Sequence, residues 1–256
     1  MYELTLCNSI ILNLMMEKEY ITRLQDSRKA IFPDFLNLQE FKEIMIKQWK
    51  DTIINKDVVN NHQESKELPT LPVTVVMKAG KILMDKLELL NKKNITVLEI
   101  MAGNCSGSRI LLNTIKKKIN VKKWISTDII DFTKNIKEKE IEFYKLNGLE
   151  SVQKFNGKAD ILLLMCPPPN KLMMNNCINS MALCDYYSIV EFIELNIGKD
   201  KHIVFIGELG SSDGTEGLYN FILTNIKIKL LHREMLITAY NQFGIIEKEI
   251  FIFQII

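Results

Sequence analysis

The stretch Val97-Leu-Glu-Ile-Met-Ala-Gly-Asn-Cys-Ser-Gly-Ser-Arg-Ile-Leu-Leu112 constrains this chain more than any other. It opens as a short apolar run carrying one acidic residue, Glu99, which is the composition of a buried strand. A loop of small residues follows, and Ile110, Leu111 and Leu112 then begin a helical pattern. Gly103, Ser106, Gly107 and Ser108 let backbone amides approach a ligand where the helix starts, at the positive end of its dipole. Many α/β proteins turn on glycine at such a point. The segment therefore sets an architecture before it sets a ligand.

From Ile95 onward, short apolar runs alternate with amphipathic stretches. The strand candidates are Thr96–Ile100, Lys123–Thr127, Glu142–Lys145, Ala159–Met165 and Lys201–Ile206. This alternation predicts a parallel sheet covered by helices on both faces. The end of the chain differs. Lys229–Thr238 and Glu247–Ile255 are strand-like runs separated by Asn241-Gln-Phe-Gly244, a connection too short for a crossover helix and suited to an antiparallel hairpin.

The second strand ends at Asp128, where a carboxylate can accept both hydroxyls of a ribose. The other reading of Asp128 is a helix N-cap or a solvated strand end. It lies 29 positions after Glu99, which predicts a long intervening helix.

Taken together, these residues resemble the class I S-adenosylmethionine-dependent methyltransferase family over Ile95–Ile256. That family's first motif runs acidic-x-Gly-x-Gly-x-Gly. Glu99, Gly103 and the helix that follows match it, Met101 and Cys105 stand at two of its glycines, and Gly107 is displaced. The resemblance implies an α/β, Rossmann-like seven-stranded sheet with a terminal antiparallel hairpin, and S-adenosyl-L-methionine as cofactor. It implies that Glu99 and the loop bearing Met101, Ala102, Gly103, Asn104, Gly107 and Ser108 hold the methionine end of that cofactor. By the same resemblance Asp128 takes the ribose, Ile129 packs on the adenine and Asn147 bonds its amino edge. A turn at Asn147-Gly148 accounts for that pair equally well.

The fourth strand ends in Cys166-Pro-Pro-Pro-Asn170, which by resemblance faces the transferable methyl group, with Cys166 and Pro167 beside the cofactor. Amino-methylating relatives carry Asn or Asp, two prolines and an aromatic residue there. Cys166 and Pro169 replace the polar and aromatic positions, which disfavours methylation of adenine or cytosine amino groups. A nucleophilic Cys166 would need a lowered pKa, and a structural thiol is the simpler reading. Asn170 and Glu208 are the catalytic candidates. Glu208 sits where the fifth strand ends, placed for substrate contact or general base work. Asp213-Gly214 reads equally as a plain turn before a helix expected over Glu216–Leu223, and Asp185 as the N-cap of a helix.

Upstream, residues 1–72 read as a helical cap and linker, with Leu4, Cys7, Ile11, Leu14 and Met15 at helical spacing and a polar stretch from Asn55 to Pro72. Residues 73–256 form the proposed catalytic unit, opening with a helix pattern through Val73, Val76, Met77, Gly80, Met84, Leu87 and Leu90 that breaks at Asn91–Asn94. The formal net charge of +2 supplies no global field for nucleic acid. Lys116–Lys118 and Lys122-Lys123 form a local basic run that reads as a solvated helix end or a nucleic-acid patch. Five cysteines without CxxC spacing and three scattered histidines argue against zinc and for free thiols. No signal peptide or membrane span is expected, and the chain reads as cytoplasmic.

Two functions follow: an active methyltransferase, or a methyltransferase-like binding or scaffold subunit without turnover. A nicotinamide-dependent enzyme is disfavoured because no G-x-G-x-x-G occurs in any register. Small molecule, protein and RNA all fit as the acceptor, and the oligomeric state is left open.

Overall fold

A computed structural model describes residues 71–131, 140–167, 184–208, 213–214, 218, 221–222, 224–241 and 244–256, with backbone alone at Cys184 and over 238–247. The expected helical cap, the linker up to position 70, Asn170 and the stretch Lys171–Ala182 lie outside the described residues.

Helix α1 (Val73–Leu89) starts directly after Pro72, whose ring fixes an extended entry into the helix. It buries Val76, Ala79, Gly80, Leu83, Met84 and Leu87 along one face, while Val73 and Met77 of the expected stripe are exposed. The break expected after Leu90 is a left-handed stop: Asn91 has φ 55° and the Lys92 amide donates back to Leu87 O at 2.8 Å.

Strand β1 (Asn94–Ile100) follows, then α2 (Ser106–Ile115), β2 (Asn120–Asp128), β3 (Ile141–Lys145), α3 (Gly148–Phe155), β4 (Ile161–Met165), α4 (Cys184–Asn196), β5 (His202–Gly207), β6 (Ile228–Asn241) and β7 (Gly244–Ile255). The long helix expected between Glu99 and Asp128 is not there. Helix α2 has 10 residues, and the extra sequence goes into a nine-residue β2 that starts three positions ahead of its apolar run. Beyond β5, Leu218, Phe221 and Ile222 are helical within the expected Glu216–Leu223 stretch, and Thr224 is helical just past its end.

The seven strands form one sheet in the order β3-β2-β1-β4-β5-β7-β6. The first five neighbours run parallel, and β7 lies antiparallel to both β5 and β6. Strand β5 is buried throughout, and so are the first four residues of β4, which explains their unbroken apolar runs. Ile95, Val97, Ile161, Leu163, Val204 and Ile206 face one core layer together with the buried residues of α1 and α2. The alternate residues Leu98, Ile100, Leu162, Leu164, Ile203 and Phe205, all buried, point to the opposite face.

Helices α1 and α2 meet closely. A Cβ on Gly80 would lie 2.9 Å from Thr114 Cβ, so glycine is what admits the approach. Helix α2 also comes down on the end of β4: a Cβ on Gly107 would lie 2.2 Å from Met165 Cε. The last pairing of β5 with β7 is Gly207 with Glu249, while β7 continues from Lys248 back to Gly244 paired with β6 alone. The terminal hairpin thus overhangs the carboxyl end of the parallel sheet.

Candidate active site

Parallel strands bring their carboxyl ends to one rim, and that is where the sequence-predicted residues gather. Glu99 lies near the end of β1 and the loop through Ser108 follows it, Asp128 and Ile129 close β2, Asn147 follows β3, Cys166 and Pro167 follow β4, and Glu208 follows β5. In open α/β sheets this rim is the ligand side.

The loop after β1 has a backbone that its sequence does not favour. Met101, Gly103 and Cys105 have φ of 57°, 55° and 59°, so all three alternate positions are left-handed. Only Gly103 adopts this without cost, and a side chain there would meet nothing within 4 Å. The other two each carry roughly 1–2 kcal/mol of steric cost. Hydrogen bonds hold the shape: the amides of Ala102 and Gly103 donate to Thr127 O at 3.0 Å and Asp128 Oδ2 at 2.9 Å. The Cys105 side chain is buried among the core residues, which offsets part of its strain. The Ser106 amide is taken by Asn104 Oδ1 at 3.0 Å and the Arg109 amide by Cys105 O at 3.1 Å. Gly107 and Ser108, between them, have no intrahelical acceptor because they lie in the first turn.

Glu99 lies beneath this loop, wholly buried. Its Oε2 accepts from Trp124 Nε1 at 2.9 Å and Ser126 Oγ at 2.8 Å. Both donors come from β2, where Ser126 is the direct register partner of Glu99. Burial pushes the Glu99 carboxyl above its ordinary range, against the lowering effect of Ser108, Trp124 and Ser126. Trp124 and Ser126 were not singled out from the sequence. Their alternation along β2, one residue apart from each other on the face shared with Glu99, is the signal that marks them.

Asp128 ties the loop down as well as ending its strand. Oδ2 receives the Gly103 amide and Oδ1 the Ile130 amide at 3.0 Å. A carboxylate offers about four acceptor positions, so one group can hold the loop and still meet hydroxyl donors. Asn147 caps α3 in a reciprocal box: its Oδ1 accepts from the Glu150 amide at 2.8 Å, and Glu150 Oε2 accepts from the Asn147 amide at 3.1 Å. Its oxygen is committed to the helix.

At the ends of β4 and β5 a second polar cluster closes the rim. Cys166 has φ 46° and donates its amide to Ile206 O at 2.7 Å, while Gly214 donates to Pro167 O at 2.8 Å. Burial, reinforced by Asp213, pushes the Cys166 thiol far above the thiolate range, which fits the structural reading. Cys105 is pushed up to about 12, again mainly by burial. Asp213 is buried, and its Oδ2 accepts from the Glu208 amide at 2.6 Å and from Lys248 Nζ at 2.5 Å. Glu208 Oε2 stands 3.8 Å from the same ammonium. In the sequence Lys248 is a lone cation between Glu247 and Glu249 near the head of an apolar strand, and nothing local marks it.

The basic run is elsewhere, and three of its five lysines are paired. Lys116 pairs with Glu140 at 2.8 Å, Lys118 with Glu88 at 2.9 Å and Lys123 with Glu142 at 2.8 Å. Among the described residues no group of His, Cys, Asp and Glu could hold a metal, and no helix is long and apolar enough to cross a membrane.

No protein-family model matches the sequence, and no curated protein does either. Solved structures do. A Listeria monocytogenes protein assigned to the class I S-adenosylmethionine-dependent methyltransferases is similar at 12% identity and TM-score 0.50, covering 91% of this chain and 73% of that one. This chain has the class I methyltransferase fold. The N-methyltransferase NodS from Bradyrhizobium japonicum, solved with S-adenosylhomocysteine, is 11% identical at TM-score 0.47 over 78% and 97% of the two chains. A Galdieria sulphuraria protein assigned as a sarcosine dimethylglycine methyltransferase is 10% identical at 0.46 over 70% and 85%. At these identities the likeness is one of fold.

Proposed function

We propose that this protein is an S-adenosylmethionine-dependent methyltransferase. The observation that carries the reading is the loop after β1. Three alternate residues keep the left-handed backbone of a glycine-rich motif, although two of them are not glycine. Strain of this kind persists where surrounding structure over-determines it, and such positions cluster at ligand sites. The residues around the loop fit the cofactor. The wholly buried Glu99 keeps one oxygen without a hydrogen-bond partner among the described residues. Open space faces Gly103, and a carboxylate ends the neighbouring strand at Asp128.

In this reading Glu99 and the loop hold the methionine end, Asp128 the ribose, and Ile129 the adenine. When bound, the cofactor supplies an electrophilic methyl group. The chain's task is to align an acceptor with it and to receive a proton, for which Glu208 is the candidate. Titration calorimetry with S-adenosylhomocysteine tests the proposal. Binding is expected in the wild type, and Asp128→Ala is expected to weaken it at least tenfold, since it removes charge-assisted acceptors from both ligand and loop. No heat at millimolar ligand would dispose of the reading.

A second reading, a methyltransferase-like binding subunit without turnover, is favoured by Met101 and Cys105 at two glycine positions of the loop. Turnover on any acceptor eliminates it. We place the protein in the cytoplasm, a reading that the free thiols of Cys105 and Cys166 suit.

A further inference from the structure

Beneath the loop, two polar atoms are buried together without partners. Glu99 Oε1 and Ser108 Oγ each lack a hydrogen bond among the described residues, although Ser108 is close enough to act on the Glu99 carboxyl. The other carboxyl oxygen is occupied by Trp124 and Ser126. Among the described residues no cation forms an ion pair with Glu99; the charged group that acts on it is Asp128 at the end of β2, while Glu99 itself helps to push the neighbouring Cys105 thiol up. A carboxyl in such a place, without a cation and with a like charge nearby, takes up a proton instead of remaining charged.

We infer that Glu99 is a proton-linked contact for the cofactor: neutral in the free protein, and ionised when a ligand bearing an amino-acid ammonium enters the loop. The inference rests on the methyltransferase reading above and adds its regulation by pH. A positive charge within a few ångströms lowers a carboxyl pKa by about 1–3 units. On binding, the O–H bond at Oε1 breaks and the proton passes to solvent. No covalent bond is formed.

Calorimetry with S-adenosylhomocysteine in phosphate and in Tris at one pH reads the proton directly, because the two buffers differ in ionisation enthalpy. The wild type is expected to release about one proton per ligand bound. Its affinity should then rise by close to tenfold per pH unit wherever the free protein holds Glu99 neutral and the complex holds it ionised. Glu99→Gln keeps the side-chain shape and an acceptor for Trp124, and should abolish both effects. Equal buffer dependence in wild type and Glu99→Gln would overturn the inference. If that variant does not fold, the wild-type series from pH 5 to 8 decides alone, and a flat profile overturns it. Binding without proton release sinks only this inference, whereas no binding at all sinks the methyltransferase reading with it.

Discussion

Left-handed backbone at Met101 and Cys105 separates two residues that look alike in the loop sequence. Cys105 turns its side chain into the core, so its strain is offset by burial, whereas Met101 is half-buried. Met101→Gly should therefore relieve roughly 1–2 kcal/mol of steric cost. Glycine returns about 0.4–1 kcal/mol of that through its greater freedom in the unfolded chain. Urea denaturation is expected to show a net gain of about 0.5–1 kcal/mol, and a lower midpoint would mean that the Met101 side chain packs better than its exposure suggests. Glu99, Gly103 and Asp128 stood out in the sequence because acidic and glycine residues interrupt apolar runs there. Trp124 and Ser126 did not, because a tryptophan and a serine in a strand pass for core and filler until the register sets Ser126 opposite Glu99 and Trp124 two positions before it on the same face.

At the scale of elements, glycine decides how near two helices come. Gly80→Ala raises the intrinsic helix propensity of α1 by up to about 1 kcal/mol. It also places a methyl 2.9 Å from Thr114 Cβ, an atom next to the backbone of α2 that cannot swing aside. Overpacking of this kind costs about 1–3 kcal/mol, so thermal denaturation should show a net loss of stability, recovered in part by adding Thr114→Ala. An unchanged midpoint would mean that α1 slides freely on α2. All seven strand positions were legible, since β4 and β5 are continuous apolar runs and the terminal runs flank a short connection. Helix α2 was expected too long. The residues 116–119 after it are compatible with helix, and what stops it is the pairing of β2 with β1 from Asn120 onward. The pattern could not show that pairing because a parallel strand's partner is remote in sequence.

At the scale of the whole molecule, the terminal hairpin is fastened to the ligand rim at Lys248, which pairs with the buried Asp213 and stands 3.8 Å from Glu208. Lys248 Nζ meets Asp213 Oδ2 at 2.5 Å, with side-chain exposures of 10% and 9%, so neither charge has water to fall back on. Removing one partner of such a pair typically costs about 3–5 kcal/mol, whereas replacing both is close to neutral. Lys248→Met should lower the denaturation midpoint accordingly. Adding Asp213→Asn should restore most of the loss, and additivity of the two substitutions would show that the pair is not coupled. The sequence by itself determined the order of strands and helices, the parallel sheet with its antiparallel end, and the loop between Glu99 and Ser108. Those follow from periodicity and from turn chemistry, which are local. Only the tertiary structure decided that Met101 and Cys105 take up a glycine's backbone, that Trp124 and Ser126 close on Glu99, and that Lys248 closes on Asp213 across the rim. Each of these depends on groups from separate strands meeting in a space that excludes water, where an unpaired charge or a strained turn survives only if its neighbours hold it.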